Sequence, residues 1–395
     1  MENKKLKVAL LHDFLLYPGG AERVLKVLSE MFPEAPIYTL LYNEEKMVGM
    51  FSGKDIRPSY LQKFPKFLKK HHQWLIPFFP VVPETFDLRE YDLVISSSGA
   101  WMKGIVTKMS TTHIAYLHSP MRFVWDMNDR YVREIKQKRL SFLARFFFSY
   151  LRIWDRLAGD RPDYLIANSG YTQKRIEKYY RREATVIYPP VNNNFEFRIS
   201  NFESNQNEKN SKIKSLEINS KFKIQNSKFF LVVSRLSPYK KVDVVVEAFN
   251  KLGLPLVVIG QGQQEKQLRK IAKSNVQILG WQPDEVTRQY YEKARGFIFS
   301  AEDDFGITAV EAMNFGVPVI AYRKGGALET VQEGITGEFF DAQTPEVLAD
   351  GVRRFLDNEK NYDKEIIKKR GAEFGRERFE KEFREFIKQK TNLKF

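Results

Sequence analysis

Residues 297–331, FIFSAEDDFGITAVEAMNFGVPVIAYRKGGALETV, constrain this chain more than any other stretch. They read as a β-strand, an acidic turn, a helix opening at a glycine, a second strand, and a further helix start at Gly325-Gly326. Two helix N-termini thus follow two strand ends closely. A helix start presents unpaired N–H groups and the positive end of its dipole, which suit a phosphate or a sugar hydroxyl. Carboxylates at Asp303 and Glu311 beside those amides can accept hydrogen bonds from hydroxyls. Amides for a diphosphate and carboxylates for sugar hydroxyls together describe a pocket for a nucleotide sugar.

The chain has 395 residues, room for two domains of ordinary size. Its 64 Lys and Arg against 49 Asp and Glu give a net charge of +15, which favours anionic partners: nucleic acid, acidic lipid or a phosphorylated substrate. Cysteine is absent. That removes disulfides, thiolate chemistry and Cys-ligated metals, and it fits a reducing compartment. Basic residues precede an apolar run near the N-terminus, as in a secretion signal. His12 and Asp13 interrupt the run and no small-residue cleavage site follows, so a first buried strand at 7–12 is the better reading. No run reaches the ~20 apolar residues of a membrane span. The nearest, 74–82, is broken by Pro77 and Pro80. A soluble or peripheral protein is expected.

Residues 1–190 alternate strand-like runs (7–12, 37–41, 93–96, 113–117, 164–168, 185–187) with helical spacing, as in Val24, Leu25, Leu28 and Met31. Pro189-Pro190 stops regular structure. Residues 229–375 repeat the pattern, with strands at 229–234, 255–259, 276–279, 296–299 and 318–321 and helices between, such as 243–252 and 264–272. Such alternation predicts α/β domains, each a parallel sheet covered on both faces. Residues 192–228 are rich in Asn, Lys and Ser and are expected to be a flexible insertion, a surface hairpin or helix being the alternative. The charged tail 376–390 reads as an amphipathic helix with Phe379, Phe383 and Phe386 at helical spacing, packing back toward the N-terminal domain. Two doubly wound domains place ligands in a cleft at the carboxyl ends of their strands.

Several loops carry candidate chemistry. Gly19-Gly20, after the first strand, lets the backbone approach a ligand just where a helix begins; no GKS or GKT follows, so it is not a P-loop. In SRLSPYKK, Arg235 follows a strand and Lys240 sits five positions on, and two cations can neutralise a departing diphosphate. Gly260 and Gly262 offer another close approach. Trp281 either borders a nucleobase or packs in the core.

The order of these pieces resembles family 4 of the retaining glycosyltransferases, with the GT-B architecture of two doubly wound Rossmann-like domains. The stretches that carry the resemblance are HDFLLYPGGAERVL, YLHSPMRFVWD, ANSGYTQKRIEKYY, VIYPPV, SRLSPYKK and EDDFGITAVEAMNFGVPVIAYRKGGALETV. Within the family the chain is most similar to bacterial mannosyltransferases of surface-polysaccharide assembly. The family's signature is two glutamates with seven residues between them. Here the second is Glu311 and the first position holds Asp303, a shorter carboxylate. The resemblance implies that Glu311 holds the donor ribose and Asp303 contacts the donor sugar. It makes Arg235 and Lys240 the diphosphate-binding pair, with amides of Phe305, Gly306, Ile307 and Thr308 facing the phosphates. His118, in YLHSPMR, matches a position near the reacting sugar. Arg122 either binds an acceptor phosphate or stabilises its loop, and Asn168-Ser169 is structural or near the donor. Glu302-Asp303-Asp304 looks like a metal clamp, but the helix start that follows supplies amides, so transfer without metal or cofactor is expected.

Lys63, Lys66, Lys69 and Lys70 surround Phe64, Phe67, Leu68 and Trp74, a pattern suited to an anionic membrane surface. The other basic-aromatic stretch, 136–156, is expected to be an ordinary helix with its aromatics buried. Zinc spacing and nucleic-acid signatures are absent, so nucleic acid is not expected as a partner. The expected function is transfer of a hexose, mannose from GDP-mannose being the first candidate, to a lipid-linked or glycan hydroxyl on the cytoplasmic face of a membrane. The alternatives are a nucleotide-sugar 2-epimerase or a phosphorylase on the same scaffold, or a non-catalytic nucleotide-sugar or membrane scaffold.

Overall fold

The computed structural model describes residues 6–47, 49–65, 67, 69, 72–126, 138–191 and 228–391. The chain divides into two compact units, Met1–Pro190 with Glu377–Phe395, and Val191–Arg376. The Asn- and Lys-rich segment expected at 192–228 lies, but for Lys228, outside the described residues, as do Lys66 and Lys70.

The first unit is built on a seven-stranded parallel sheet in the order β3-β2-β1-β4-β5-β6-β7. Its strands are β1 (Val8–Leu15), β2 (Ile37–Tyr42), β3 (Ile56–Pro58), β4 (Leu93–Ser98), β5 (Thr112–Leu117), β6 (Tyr164–Ala167) and β7 (Thr185–Val186). The edge strand β3 was not anticipated. Three residues ending in proline carry little apolar pattern, and proline is tolerated there because an edge has hydrogen bonds to spare. The helix Gly20–Met31 packs on the sheet through Val24, Leu25, Val27 and Leu28, all buried. Fully burying one such side chain contributes roughly 1.5–3 kcal/mol. The helix Arg376–Lys390 closes this unit: Phe379 meets the ring of Tyr116 at 5.9 Å, Phe386 meets Tyr164 at 6.2 Å, and Arg378 donates to the Tyr188 carbonyl at 2.7 Å.

The second unit holds a six-stranded parallel sheet in the order β10-β9-β8-β11-β12-β13. Its strands are β8 (Phe229–Val233), β9 (Leu256–Ile259), β10 (Val276–Gly280), β11 (Ala294–Phe299), β12 (Val319–Tyr322) and β13 (Gly337–Phe340). Phe230, Phe249, Phe340 and Phe355 fill one side of it, each fully buried. In both sheets the strand order reverses beside the first strand, between β1 and β4 and between β8 and β11. Connections leave in opposite directions there and open a crevice at the strands' carboxyl ends.

The sequence expectation for residues 136–156 needs correction. The helix Lys138–Ala158 forms, but only one side of it is inside. Leu151 and Asp155 are buried and Phe147, Phe148 and Trp154 pack on the core, whereas Phe142 and Phe146 stand in solvent. Aromatics spaced around a whole helix cannot all face one sheet.

Candidate active site

In the second unit, the chain leaving β8 turns through Arg235 and a short helical turn, Pro238–Lys240. Glycines brace that loop. A Cβ on Gly260 would lie 1.8 Å from the Ser234 carbonyl oxygen, and one on Gly262 would lie 2.4 Å from that of Leu236. The closeness permits three backbone bonds, Ser234 N to Ile259 O at 3.0 Å, Leu236 N to Gln261 O at 2.9 Å, and Gln264 N to Leu236 O at 3.0 Å. The close approach read from these glycines is thus satisfied by protein backbone. Arg235 itself is exposed, with Nη2 3.3 Å from the Tyr239 hydroxyl.

Across the crevice edge, the loop after β11 brings Asp303 to Lys240. The two form an ion pair whose side chains are 14% and 18% exposed. Burial pushes the Lys240 amine down, but Asp303 outweighs it and the net shift is upward. The amine is therefore charged at neutral pH. Ser300 adds a bond from its hydroxyl to the Lys240 carbonyl at 2.8 Å. Gly325 and Gly326 lie against the same loop, where Gly326 N donates to Asp303 O at 2.9 Å. A Cβ on Gly325 would stand 2.3 Å from that oxygen.

The helix Ile307–Asn314 begins at Gly306, whose φ of 92° belongs to the left-handed region open to glycine, and no side chain caps it. Its first amides have no acceptor within the helix. Ile307 and Thr308 are half-buried there, while Phe305 is buried against Phe374 at 5.5 Å. Glu311, one helical turn further, is only 5% exposed, and the Tyr291 hydroxyl donates to its Oε2 at 3.1 Å. Trp281 follows β10 and is 61% exposed, so the core-packing alternative for it falls.

The first unit gathers polar groups at its own crevice. His12 on β1 stands in register with Ser97 on β4. The Ser97 hydroxyl lies 3.2 Å from His12 Nδ1 and 2.8 Å from His118 Nε2. Glu22 Oε1 is 3.6 Å from His12 Nε2. Burial, with His12 adding and Asp13 opposing, holds the His118 ring down to about 3, so it is neutral at pH 7. Asn168 donates to the His118 carbonyl at 3.0 Å, and Ser169 caps the helix Gly170–Tyr180 by accepting from Thr172 N at 2.9 Å. Gly19 is the N-cap residue of the helix Gly20–Met31, and a Cβ there would meet Glu22 Oε2 at 2.7 Å. Arg122 is half-buried at the start of a single helical turn, Arg122–Trp125.

Sequence reasoning missed the residues that hold these groups. Asp13 accepts from four consecutive amides, Gly99 to Met102, at 2.7–2.9 Å, and from the Ser98 hydroxyl at 2.9 Å. The polar pair His12-Asp13 ending an apolar strand, and the Ser96–Ser98 run ending another, were the available signals. Tyr291 carried none, being one aromatic among many. Among the described residues no group of three or more His, Asp or Glu is placed to hold a metal ion, and no helix is long and apolar enough to cross a membrane.

Two parallel α/β units, each with polar and charged side chains gathered at its switch point, define the GT-B class of glycosyltransferase. The family model for Glycosyltransferase Family 4 matches residues 18–195, and that for Glycosyl transferases group 1 matches residues 214–372. The chain belongs to glycosyltransferase family 4. It is 23% identical to an uncharacterized glycosyltransferase of Methanocaldococcus jannaschii over 94% of this chain and 93% of that one. It is 27% identical to the GDP-mannose-dependent alpha-(1-6)-phosphatidylinositol monomannoside mannosyltransferase of Mycobacterium tuberculosis. That second match spans only about half of each protein, 51% of this chain and 54% of the other. In fold it is similar to Anabaena HepE solved with UDP and glucose, with a TM-score of 0.68 at 18% identity, covering 97% of this chain and 99% of that one.

Proposed function

We propose that this chain is a retaining hexosyltransferase of the cytoplasmic face, moving a sugar from a nucleotide donor to a hydroxyl of a lipid-linked or glycan acceptor, with no metal or cofactor. The observation that carries the reading is the Lys240–Asp303 pair at the β8/β11 switch point, one turn of chain from the uncapped start of the helix Ile307–Asn314. Arg235, Lys240 and the amides of Gly306, Ile307 and Thr308 meet the charge on the leaving diphosphate. Asp303 faces the sugar, and Glu311, fixed by Tyr291, receives the ribose hydroxyls. His118, in the first unit, is assigned to the sugar by its place in YLHSPMR, and its ring is set by Ser97. The bond from the anomeric carbon to the diphosphate breaks while the acceptor oxygen bonds that carbon on the same face. The acceptor's proton passes to the departing diphosphate oxygen, leaving a glycoside and a nucleoside diphosphate.

GDP-mannose is the first candidate donor, since a relative's name carries it. A fold neighbour holds UDP and glucose, so the base and sugar are what a binding experiment decides. Calorimetric titration with GDP-, UDP- and ADP-sugars is expected to show one strong donor. The product's anomeric configuration, read by NMR, is expected to match the donor's. Binding of none, or an inverted product, sinks the reading. Contact with an anionic membrane through Lys63, Lys69 and Trp74 accompanies it, at about 1 kcal/mol per cation. In support, Lys63 and Trp74 are exposed; Lys69 reaches back to the Gln62 carbonyl at 2.9 Å.

A further inference from the structure

The helix Lys138–Ala158 carries a single carboxylate, Asp155, and it points inward to a fully buried ion pair with Lys103 at 2.6 Å. On the outward side Phe142, Leu143, Phe146, Tyr150, Ile153 and Leu157 are each more than half exposed. At 3.6 residues per turn these six fall within one arc of about 100°. Arg145, Arg152 and Arg156 run along one border of the arc. Arg145 is exposed, and Arg152 bonds only neutral acceptors among its described contacts, the Val124 carbonyl at 3.0 Å and the Ser149 hydroxyl at 2.9 Å. Arg156 pairs with Asp160.

A continuous row of six large apolar side chains in water is a cost that a folded protein carries only where something covers the row. We propose that this helix is the principal membrane-docking element: it lies in the headgroup plane of an anionic bilayer, its six apolar side chains at the acyl boundary and its arginines at lipid phosphates. The proposal rests on the membrane contact suggested above and moves its main element from residues 63–74 to this helix. The two elements are neighbours. Phe64 of the first element and Phe147, Phe148 and Trp154 of the helix pack on the same core cluster, which holds Trp101 and Phe79, while Phe67 and Trp74 are exposed. Charge chooses the occupant. The chain carries +15 and the helix exposes no carboxylate, so anionic lipid complements it. A second copy docked on the same face sets arginine rows against each other.

The test uses the full chain and vesicles of phosphatidylcholine, alone or mixed with phosphatidylglycerol, with co-sedimentation at increasing salt. The wild type is expected to bind the mixed vesicles and to release as salt rises. The double variant Phe146→Ser, Ile153→Ser is expected to lose about tenfold or more in binding, and Phe67→Ser, Trp74→Ser to lose less. All four positions are exposed, so unchanged melting temperatures are expected. If the helix variant binds as the wild type does while the Phe67, Trp74 variant fails, the helix is not the docking element and only the earlier membrane reading survives. If the wild type binds neither vesicle, both fall. A wild-type dimer that the helix variant converts to monomer assigns the face to a second copy and overturns the proposal. Donor titration reads the transferase function separately, because neither double variant touches the switch-point residues.

Discussion

Lys240 and Asp303, 63 positions apart in the chain, are held in contact at the carboxyl ends of β8 and β11. The residue expected to bind diphosphate and the one expected to face the sugar are therefore one electrostatic unit. Lys240→Ala removes the cation proposed to meet the leaving diphosphate and takes away the charge partner of a sheltered carboxylate. The expected loss is about 10²–10³-fold in kcat/KM and about 1–3 kcal/mol in stability, since the pair is partly wet. In a double-mutant cycle with Asp303→Asn, measured by denaturant midpoints, the double variant is expected to be more stable than the sum of singles. Strict additivity would show that the pair is not coupled.

Gly260→Ala tests the bracing of the Arg235 loop. The substitution meets both a φ of 140° and a carbonyl oxygen 1.8 Å from the new Cβ. A loss of about 2 kcal/mol or more is expected, with weakened donor binding. Gly253→Ala is the control: its φ is 69° but nothing lies within 4 Å, so it is expected to cost about 1 kcal/mol and leave donor affinity unchanged. Equal effects on donor affinity would remove the bracing argument.

Asp13→Asn keeps the shape and removes the charge that five donors converge on. One amide oxygen cannot serve them, and the new NH₂ faces backbone N–H groups. Hydrogen bonds to a charged group contribute about 1.5–3 kcal/mol each, so a loss of at least that size in urea unfolding is expected. A wild-type midpoint would contradict the anchoring role.

Lys241 starts the helix Val242–Leu252 in the left-handed region, with φ of 55°, where an L side chain is strained. Lys241→Gly relieves a strain of about 1 kcal/mol and adds chain entropy to the unfolded state in partial compensation. A melting temperature equal to or slightly above the wild type's is expected. A clear fall would mean that the Lys241 side chain makes contacts worth more than the strain.

Acid sensitivity follows from His113. Burial first, and Arg182 second, hold its ring down to about 3. Its ordinary value is about 6.5. Between these values the unfolded chain takes a proton that the folded chain refuses, so stability falls as pH drops from about 6.5 toward 3, by up to about 1.4 kcal/mol per pH unit. Above 6.5 the contribution is constant. His113→Gln is expected to flatten part of that slope when midpoints are measured from pH 7 to pH 4. His118 has the same sign and supplies part of what remains. An unchanged slope would place the acid sensitivity elsewhere.

Much of the fold was legible because its signals are local. Apolar runs such as 229–234 and 318–321 announced buried parallel strands, and Gly306 and Gly325-Gly326 announced turns into helices. β3 and β13 escaped notice because one ends in proline and the other, GEFF, is four residues with a glutamate inside. The cations and carboxylates of the second unit were legible from spacing and resemblance. Tyr291, Ser300, Ser97 and Asp13 were not, because each acts on a partner far away in sequence.

The sequence alone determined the alternation of strand and helix, the glycine-led helix starts and the family, since these depend on residues within one or two turns of each other. Tertiary structure decided that β1 lies beside β4 and β8 beside β11. That placement carries Lys240 to Asp303, and a serine between His12 and His118. It also decided that the aromatic helix Lys138–Ala158 shows a greasy side to solvent. A periodic pattern tells that a helix has two faces, but only the packing of the rest of the chain tells which face finds a partner.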